Sequence, residues 1–216
     1  MNIEEGIKLK DILIVGNSGF AREIEWLIER INEVTPTWNF KGFINKENVD
    51  GTIGDDNFLL GYRHEIHVVI AIGIPYIRKK LYQFYKGNAN ICFPNIIDPS
   101  VLMSDSVSLG KGNIICANTV LTVGISLGDF CIINLDCTVG HDTKIKDFVT
   151  INPSVNISGD VIINDLVNLG TGTQIIQGKT IGQETQTGAG SVVNSDLPGY
   201  CTAVGIPARP VKYRSM

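Results

Sequence analysis

Three histidines occur in the 216 residues, His64, His67 and His141, and the last stands in Val139-Gly140-His141-Asp142-Thr143. Imidazole titrates near neutrality, so it can take the proton from an amine or alcohol attacking an activated acyl group, the chemistry of thioester aminolysis or alcoholysis. Asp142 is placed to orient the ring and favour its protonated form. A histidine picked at random is a solvated surface residue, so the weight of this pair depends on what holds it. A second cluster, Gly16-Asn17-Ser18-Gly19-Phe20-Ala21-Arg22, puts two glycines and a serine before a helical pattern. Free N–H groups and the helix dipole favour a phosphate there; the alternative is a tight turn that only packs helix on strand. Ser18 replaces the second glycine of GxGxxG, and Asn45 stands where a ribose-binding acid would end the next strand, so a nicotinamide cofactor is not expected.

The element that must position His141 is a repeat. Stepping by six from Ile97 gives Met103, Leu109, Ile115, Leu121, Leu127, Ile133, Val139, Ile145, Ile151, Ile157, Ile163, Leu169, Ile175, Ile181, Thr187 and Val193, of which only Thr187 is not apolar. Four residues after each runs a column of mostly small or β-branched side chains, from Val101 to Ser191. Period six fits neither a 3.6-residue helix nor a flat alternating strand. It predicts short strands separated by turns, three to a triangular coil, whereas a β-sandwich would show irregular turn spacing. Gly110, Gly128, Gly140, Gly170, Gly182 and Gly188, with Asn134, Asn152 and Asn164 in the same column, are expected to supply the backbone freedom the corners need. Eighteen residues per coil gives roughly five coils stacked at about 4.8 Å. Gly159 then lies over His141 and Val123 under it. A glycine there leaves room beside the imidazole and an N–H for an oxyanion.

Before Ile97 the pattern changes. Asp11 to Gly16 reads as a buried strand, and Phe20, Ile24, Leu27, Ile28 and Ile31 share a helical face. Further strands are expected at 40–45 and 68–72. This is a small parallel α/β, Rossmann-like unit with ligands at the carboxyl ends of its strands. The expected domains are 1–93 and 94–216, the second carrying a C-terminal extension.

A net charge of −4 without basic clusters gives no footprint for nucleic acid or an anionic membrane. Met1-Asn2-Ile3-Glu4-Glu5-Gly6 lacks the basic and apolar regions of a signal peptide, and no apolar run is long enough to span a membrane, so a cytoplasmic location is expected. Five cysteines, Cys92, Cys116, Cys131, Cys137 and Cys201, show no CxxC spacing and read as reduced, packed thiols. One histidine on the repeat cannot build a three-histidine zinc site of the γ-carbonic anhydrase kind, and no metal is expected. The stretch before Ile97 is too short for a nucleotidyltransferase domain.

Gly16-Asn17-Ser18-Gly19-Phe20-Ala21-Arg22-Glu23, Gly42-Phe43-Ile44, Ala71-Ile72-Gly73, Gly140-His141-Asp142 and Val204-Gly205-Ile206-Pro207-Ala208-Arg209 together resemble the bacterial sugar O-/N-acetyltransferases with hexapeptide repeats, over Lys10 to Lys212. These include sialic acid O-acetyltransferase and UDP-amino-sugar N-acetyltransferase types. The resemblance implies a left-handed parallel β-helix, a homotrimer, acetyl-CoA lying between adjacent coils, a nucleotide-sugar-binding N-terminal domain and a role in surface-glycan biosynthesis. It assigns His141 as base and Asp142 as its acid. It gives Gly16, Asn17, Ser18, Gly19, Phe20, Asn45, Gly73 and Asn134 to the substrate. Thr150, Gly159, Thr171, Ala189, Pro207 and Arg209 go to acetyl-CoA. The chain departs from the pattern in three places: Thr150 stands where many members have a second histidine, Asn45 where an acid is common, and Ile74 where a polar residue is frequent. The leading expectation is N-acetylation of a UDP-linked amino sugar. The alternatives are O-acetylation of a sugar, sialic acid or small hydroxyl compound, and a non-catalytic ligand-binding trimer.

Overall fold

The computed structural model describes residues 8–47 and 51–214; the Met1 to Gly6 stretch read above for a leader lies outside them. The chain divides into two compact units, Met1–Ile72 with Leu81–Pro94, and Gly73–Lys80 with Asn95–Met216.

In the first unit, β1 (Lys10–Val15) is apolar on both faces, and Ile12 to Val15 are buried. It is followed by α1 (Gly19–Val34), which buries Ala21, Ile24, Leu27 and Ile28 and leaves Trp26 on the outer face. Then come β2 (Trp38–Ile44), β3 (Thr52–Gly54), α2 (Asp56–Leu60) and β4 (Ile66–Ile70). After α3 (Pro75–Tyr85), β5 (Ile91–Cys92) completes a parallel sheet ordered β3-β2-β1-β4-β5. The direction of winding reverses between β1 and β4, and in an open α/β sheet a ligand binds beyond the carboxyl ends of the strands at such a reversal.

The second unit carries, among the described residues, seventeen two-residue strands from β6 (Ile96–Ile97) to β22 (Val192–Val193), followed by the antiparallel hairpin β23 (Cys201–Gly205) and β24 (Ala208–Tyr213). The two-residue strands form three parallel sheets, beginning at Ile96–Ile97, Leu102–Met103 and Ser108–Leu109, and among them each partner lies eighteen residues away, as Thr138 with Asn156 and Val139 with Ile157. Both periodic columns point inward: Ile133, Ile151 and Ile163 are wholly buried, as are Cys131, Val149 and Val161. Thr187, the polar exception, is buried too. Its hydroxyl accepts from the Gly170 N–H at 2.9 Å and shares a proton with Thr173 at 2.8 Å.

The glycine column does not do what its composition suggests. Gly110, Gly128, Gly140, Gly170, Gly182 and Gly188 are not among the positive-φ residues. They are needed because the next coil passes against them: a Cβ on Gly140 would sit 2.6 Å from the Gly159 nitrogen, and one on Gly170 2.6 Å from the Thr187 oxygen. The asparagines in this column are not left-handed either, and Asn152 and Asn164 use their amides to donate to Leu169 O at 2.7 Å and Ile181 O at 2.9 Å. The left-handed residue comes two positions later, as Gly124 or Gly172 but also as Phe130, Asp136, Asp142, Phe148 and Asp160.

Candidate active site

His141 occupies the edge between the second and third sheets, after Gly140, whose N–H bonds Ile157 O at 2.8 Å. Asp142 is the left-handed residue of this corner, φ 60°, its N–H bonded to Val123 O at 3.0 Å. That conformation turns its carboxylate back along the preceding residue, and Oδ2 lies 2.9 Å from His141 Nδ1. Donation from Nδ1–H leaves Nε2 with its lone pair free, the state a base requires. The pair is open to an incoming molecule, the side chains being 51% and 67% exposed.

Glycines hold space for both partners. A Cβ on Gly124 would press on Asp142 Oδ1 at 2.7 Å, and one on Gly159 would lie far inside contact distance of the imidazole at Nε2 and Cε1. The ring therefore rests on the Gly159 α-carbon. The Gly159 carbonyl accepts from Gly178 N–H, while its own N–H makes no hydrogen bond among the described residues, so a donor stands beside the base.

Further along this edge, Arg209 of β24 donates to Asn194 Oδ1 and Ser195 Oγ, each at 3.3 Å, with Pro207 at the hairpin turn. Ser195 lies three coils beyond His141 in the same column, roughly 14 Å at the usual strand spacing. Asn134, Thr171 and Ala189 lie on a different edge, between the first and second sheets. Asn134 Oδ1 caps the Leu135 N–H at 2.8 Å, and exposed Thr171 and Ala189 stack eighteen residues apart. Of the residues expected at one site, a single chain thus brings His141, Asp142, Gly159 and Arg209 to one edge and leaves Asn134, Thr171 and Ala189 across the second sheet.

In the first unit, the turns after β1 and β4 meet at the winding reversal. Gly16, φ 114°, is so close to the second turn that a Cβ would lie 3.1 Å from Ala71 O and 3.2 Å from Ile72 Cδ1. Asn17 and Ser18 are exposed, and Ser18 caps α1 without using its side chain. Gly19 opens the helix, Phe20 is half-buried, and Asn45 donates to Glu47 O at 3.2 Å. His67 has a packing role, its ring 5.2 Å from that of Trp38. No group of three metal-competent side chains occurs among the described residues, and no described helix is long and apolar enough to cross a membrane.

The family model for the PglD N-terminal domain matches residues 11–84. No curated protein matches the chain by sequence. Among solved structures, a histidine-to-asparagine variant of perosamine N-acetyltransferase from Caulobacter crescentus, in complex with CoA and GDP-perosamine, superposes with a TM-score of 0.85 at 28% identity, covering 96% of this chain and 98% of that one. The acetyltransferase domain of PglB from Neisseria gonorrhoeae, in complex with acetyl coenzyme A, gives 0.84 at 25% identity over 94% of this chain and 100% of that one. WeeI from Acinetobacter baumannii gives 0.84 at 27% identity with the same coverage. The chain is thus similar over nearly its whole length to solved bacterial sugar acetyltransferases, and its residues 11–84 carry the PglD-type N-terminal domain. Its coil is accordingly the left-handed parallel β-helix of those acyltransferases.

Thr150, expected at acetyl-CoA, faces inward in this chain. Thr150 is 3% exposed, and its hydroxyl is committed, donating to Gly73 O at 2.7 Å and accepting from Arg78 Nη2 at 3.0 Å. The side chain turns into this network instead of toward solvent. Arg78 was not singled out by sequence. It is 1% exposed and also donates from Nε to Phe130 O at 2.7 Å, from Nη1 to Gly73 O at 3.3 Å, and from Nη2 to Phe148 O and Val149 O at 3.0 and 3.1 Å. Burial lowers the guanidinium to about 10. Next to it, Ile74, Pro75 and Tyr76 face Leu166, Asn168, Glu184, Gln186 and Arg214 across a pocket of 240 Å³, also without a signal in the periodicity.

Proposed function

We propose that this chain N-acetylates a nucleotide-linked amino sugar with acetyl-CoA, in the cytoplasm and in the service of surface-glycan assembly. The observation that carries the reading is the His141–Asp142 pair resting on Gly159, with a free N–H beside the base. The solved relatives support it, one holding CoA with a GDP-linked sugar and another acetyl coenzyme A.

His141 Nε2 takes the proton as the amine attacks the thioester carbonyl, and Asp142 holds the ring and balances its charge. The Gly159 N–H meets the carbonyl oxygen as it gains negative charge. The C–N bond forms, the C–S bond breaks, and His141 returns the proton to the departing thiolate. Arg209 is suited to the phosphates of the nucleotide end, as a guanidinium on the same edge. Residues 1–93 hold the nucleotide through the turns Gly16–Phe20 and Ala71–Gly73, with Asn45 beside them, and residues 94–216 carry the acyl transfer.

The split of Asn134, Thr171 and Ala189 from the His141 edge supports a homotrimer, since a second copy can bring its own edge against the first. Light scattering of the purified protein should then give about 70 kDa, three times the 23.5 kDa chain.

The test is thiol release from acetyl-CoA with a panel of UDP- and GDP-linked amino sugars, hydroxyl acceptors serving as the counter-set. His141→Ala should lower kcat at least about 10²-fold with the KM for acetyl-CoA nearly unchanged. Wild-type turnover in that variant, or transfer confined to hydroxyl acceptors, would overturn the reading.

A further inference from the structure

The corner geometry of the coil creates a need that Arg78 meets. Phe130 and Phe148 are left-handed corner residues, φ 55° and 58°, whose carbonyls accept from Arg78 Nε and Nη2. At other corners the equivalent oxygen takes a side-chain amide, as Ser154 O does from Asn156 and Gly172 O from Gln174. At Phe130 and Phe148 the rings stack in parallel, centroids 5.3 Å apart, and are 1% and 6% exposed. A buried carbonyl without a donor is costly, and one guanidinium serves both.

Satisfying the corners does not account for the rest of the network. The Gly73 carbonyl receives two donors, Thr150 Oγ1 at 2.7 Å and Arg78 Nη1 at 3.3 Å, although Gly73 itself is exposed. An exposed glycine has the freest backbone in the chain, and two buried side chains fix its peptide plane. Gly73 directly follows Ala71-Ile72, the turn at the carboxyl end of β4, and precedes Ile74 and Tyr76, which are 56% and 68% exposed and line the 240 Å³ pocket. Rigid backbone that presents accessible groups is what a binding surface requires, because a ligand then does not have to order it.

We propose that Thr150 and Arg78 are positioning residues that hold the Gly73 turn in the shape that receives the nucleotide-linked acceptor. This rests on the acetyl-transfer reading above and adds to it an assignment of specificity: the threonine acts on the acceptor side and not on acetyl-CoA.

Arg78 variants would also remove a donor from two corner carbonyls, so the test uses Thr150. Thr150→Val keeps the shape and removes the hydroxyl; Thr150→Ser keeps the hydroxyl. Two readouts are needed on the full chain. In amide hydrogen exchange, residues 73–78 should exchange about tenfold faster in Thr150→Val than in wild type and return to within twofold in Thr150→Ser. In steady-state kinetics with the best acceptor of the panel, Thr150→Val should raise the acceptor KM about tenfold, leave the acetyl-CoA KM within twofold, and be rescued by Thr150→Ser. Unchanged exchange overturns the clamp whatever the activity. A rise in the acetyl-CoA KM, or an equal rise in both, overturns its assignment to the acceptor. If wild-type protein releases no thiol with any acceptor yet the exchange result holds, the acetyl-transfer reading fails, and with it the acceptor assignment, while the clamp stands.

Discussion

Asp142 follows His141 in the chain, but neighbours in an extended strand point to opposite faces, and only the left-handed corner folds the carboxylate onto the ring. The conformation and the charge are therefore separable by mutation. Asp142→Gly keeps the corner and removes the carboxylate, and should lower kcat about 10- to 100-fold while moving the thermal midpoint little. Asp142→Val forces a β-branched residue to φ 60° and should lose stability as well as rate, which thermal melts beside the assay would separate. Gly159→Ala is the complementary change. Its methyl group would occupy the place of the imidazole, and displacing a reacting group by about an ångström is worth about 10² in rate. We expect that loss in kcat with a fold intact by circular dichroism.

Within the coil, the same amino acid serves two purposes at two positions, and this separates what the sequence discloses from what it conceals. Gly140→Ala would push a Cβ into the Gly159 nitrogen of the adjoining coil at 2.6 Å, and should cost about 1–3 kcal/mol in urea unfolding, as overpacking does. Gly190, φ 67° with open space around it, should accept Asn at almost no cost, because asparagine tolerates the left-handed region. The apolar column from Ile97 to Val193 was legible because burial acts on every coil alike. The left-handed positions were not, since phenylalanine, aspartate, serine and leucine fill them along with glycine, so residue type does not mark them. The same holds at the site. His141, Asp142 and Gly159 follow from composition and an eighteen-residue step, whereas Arg78 sits in a non-repeating segment beside Lys79 and Lys80, with nothing in its type to mark it as the buried one.

At the scale of the molecule, the inward columns include thiols that burial keeps protonated. Cys131 is pushed up to about 12 and Cys137 to about 11, desolvation being the main cause in each. An unfolded thiol ionises near 8.5, so between that pH and the folded values the native state binds more protons. The stability these groups supply is whole below pH 8.5 and is lost as pH rises through 11 to 12. Thermal midpoints should fall across that window, and less steeply in Cys131→Val. A different property follows from the constant eighteen-residue separation of ladder partners. Sheet proteins normally fold slowly because distant segments must find one another. Here no strand waits for a partner more than one coil away, and the entropy of each closure is the same from the first coil to the last. Folding can then advance as a travelling front, adding one layer at a time, and melting can retreat from the ends. Amide exchange slowest around Ile133 to Ile163 and faster toward both termini of the coil would be its record, making the histidine edge, set in those middle layers, the last part of the coil to come apart.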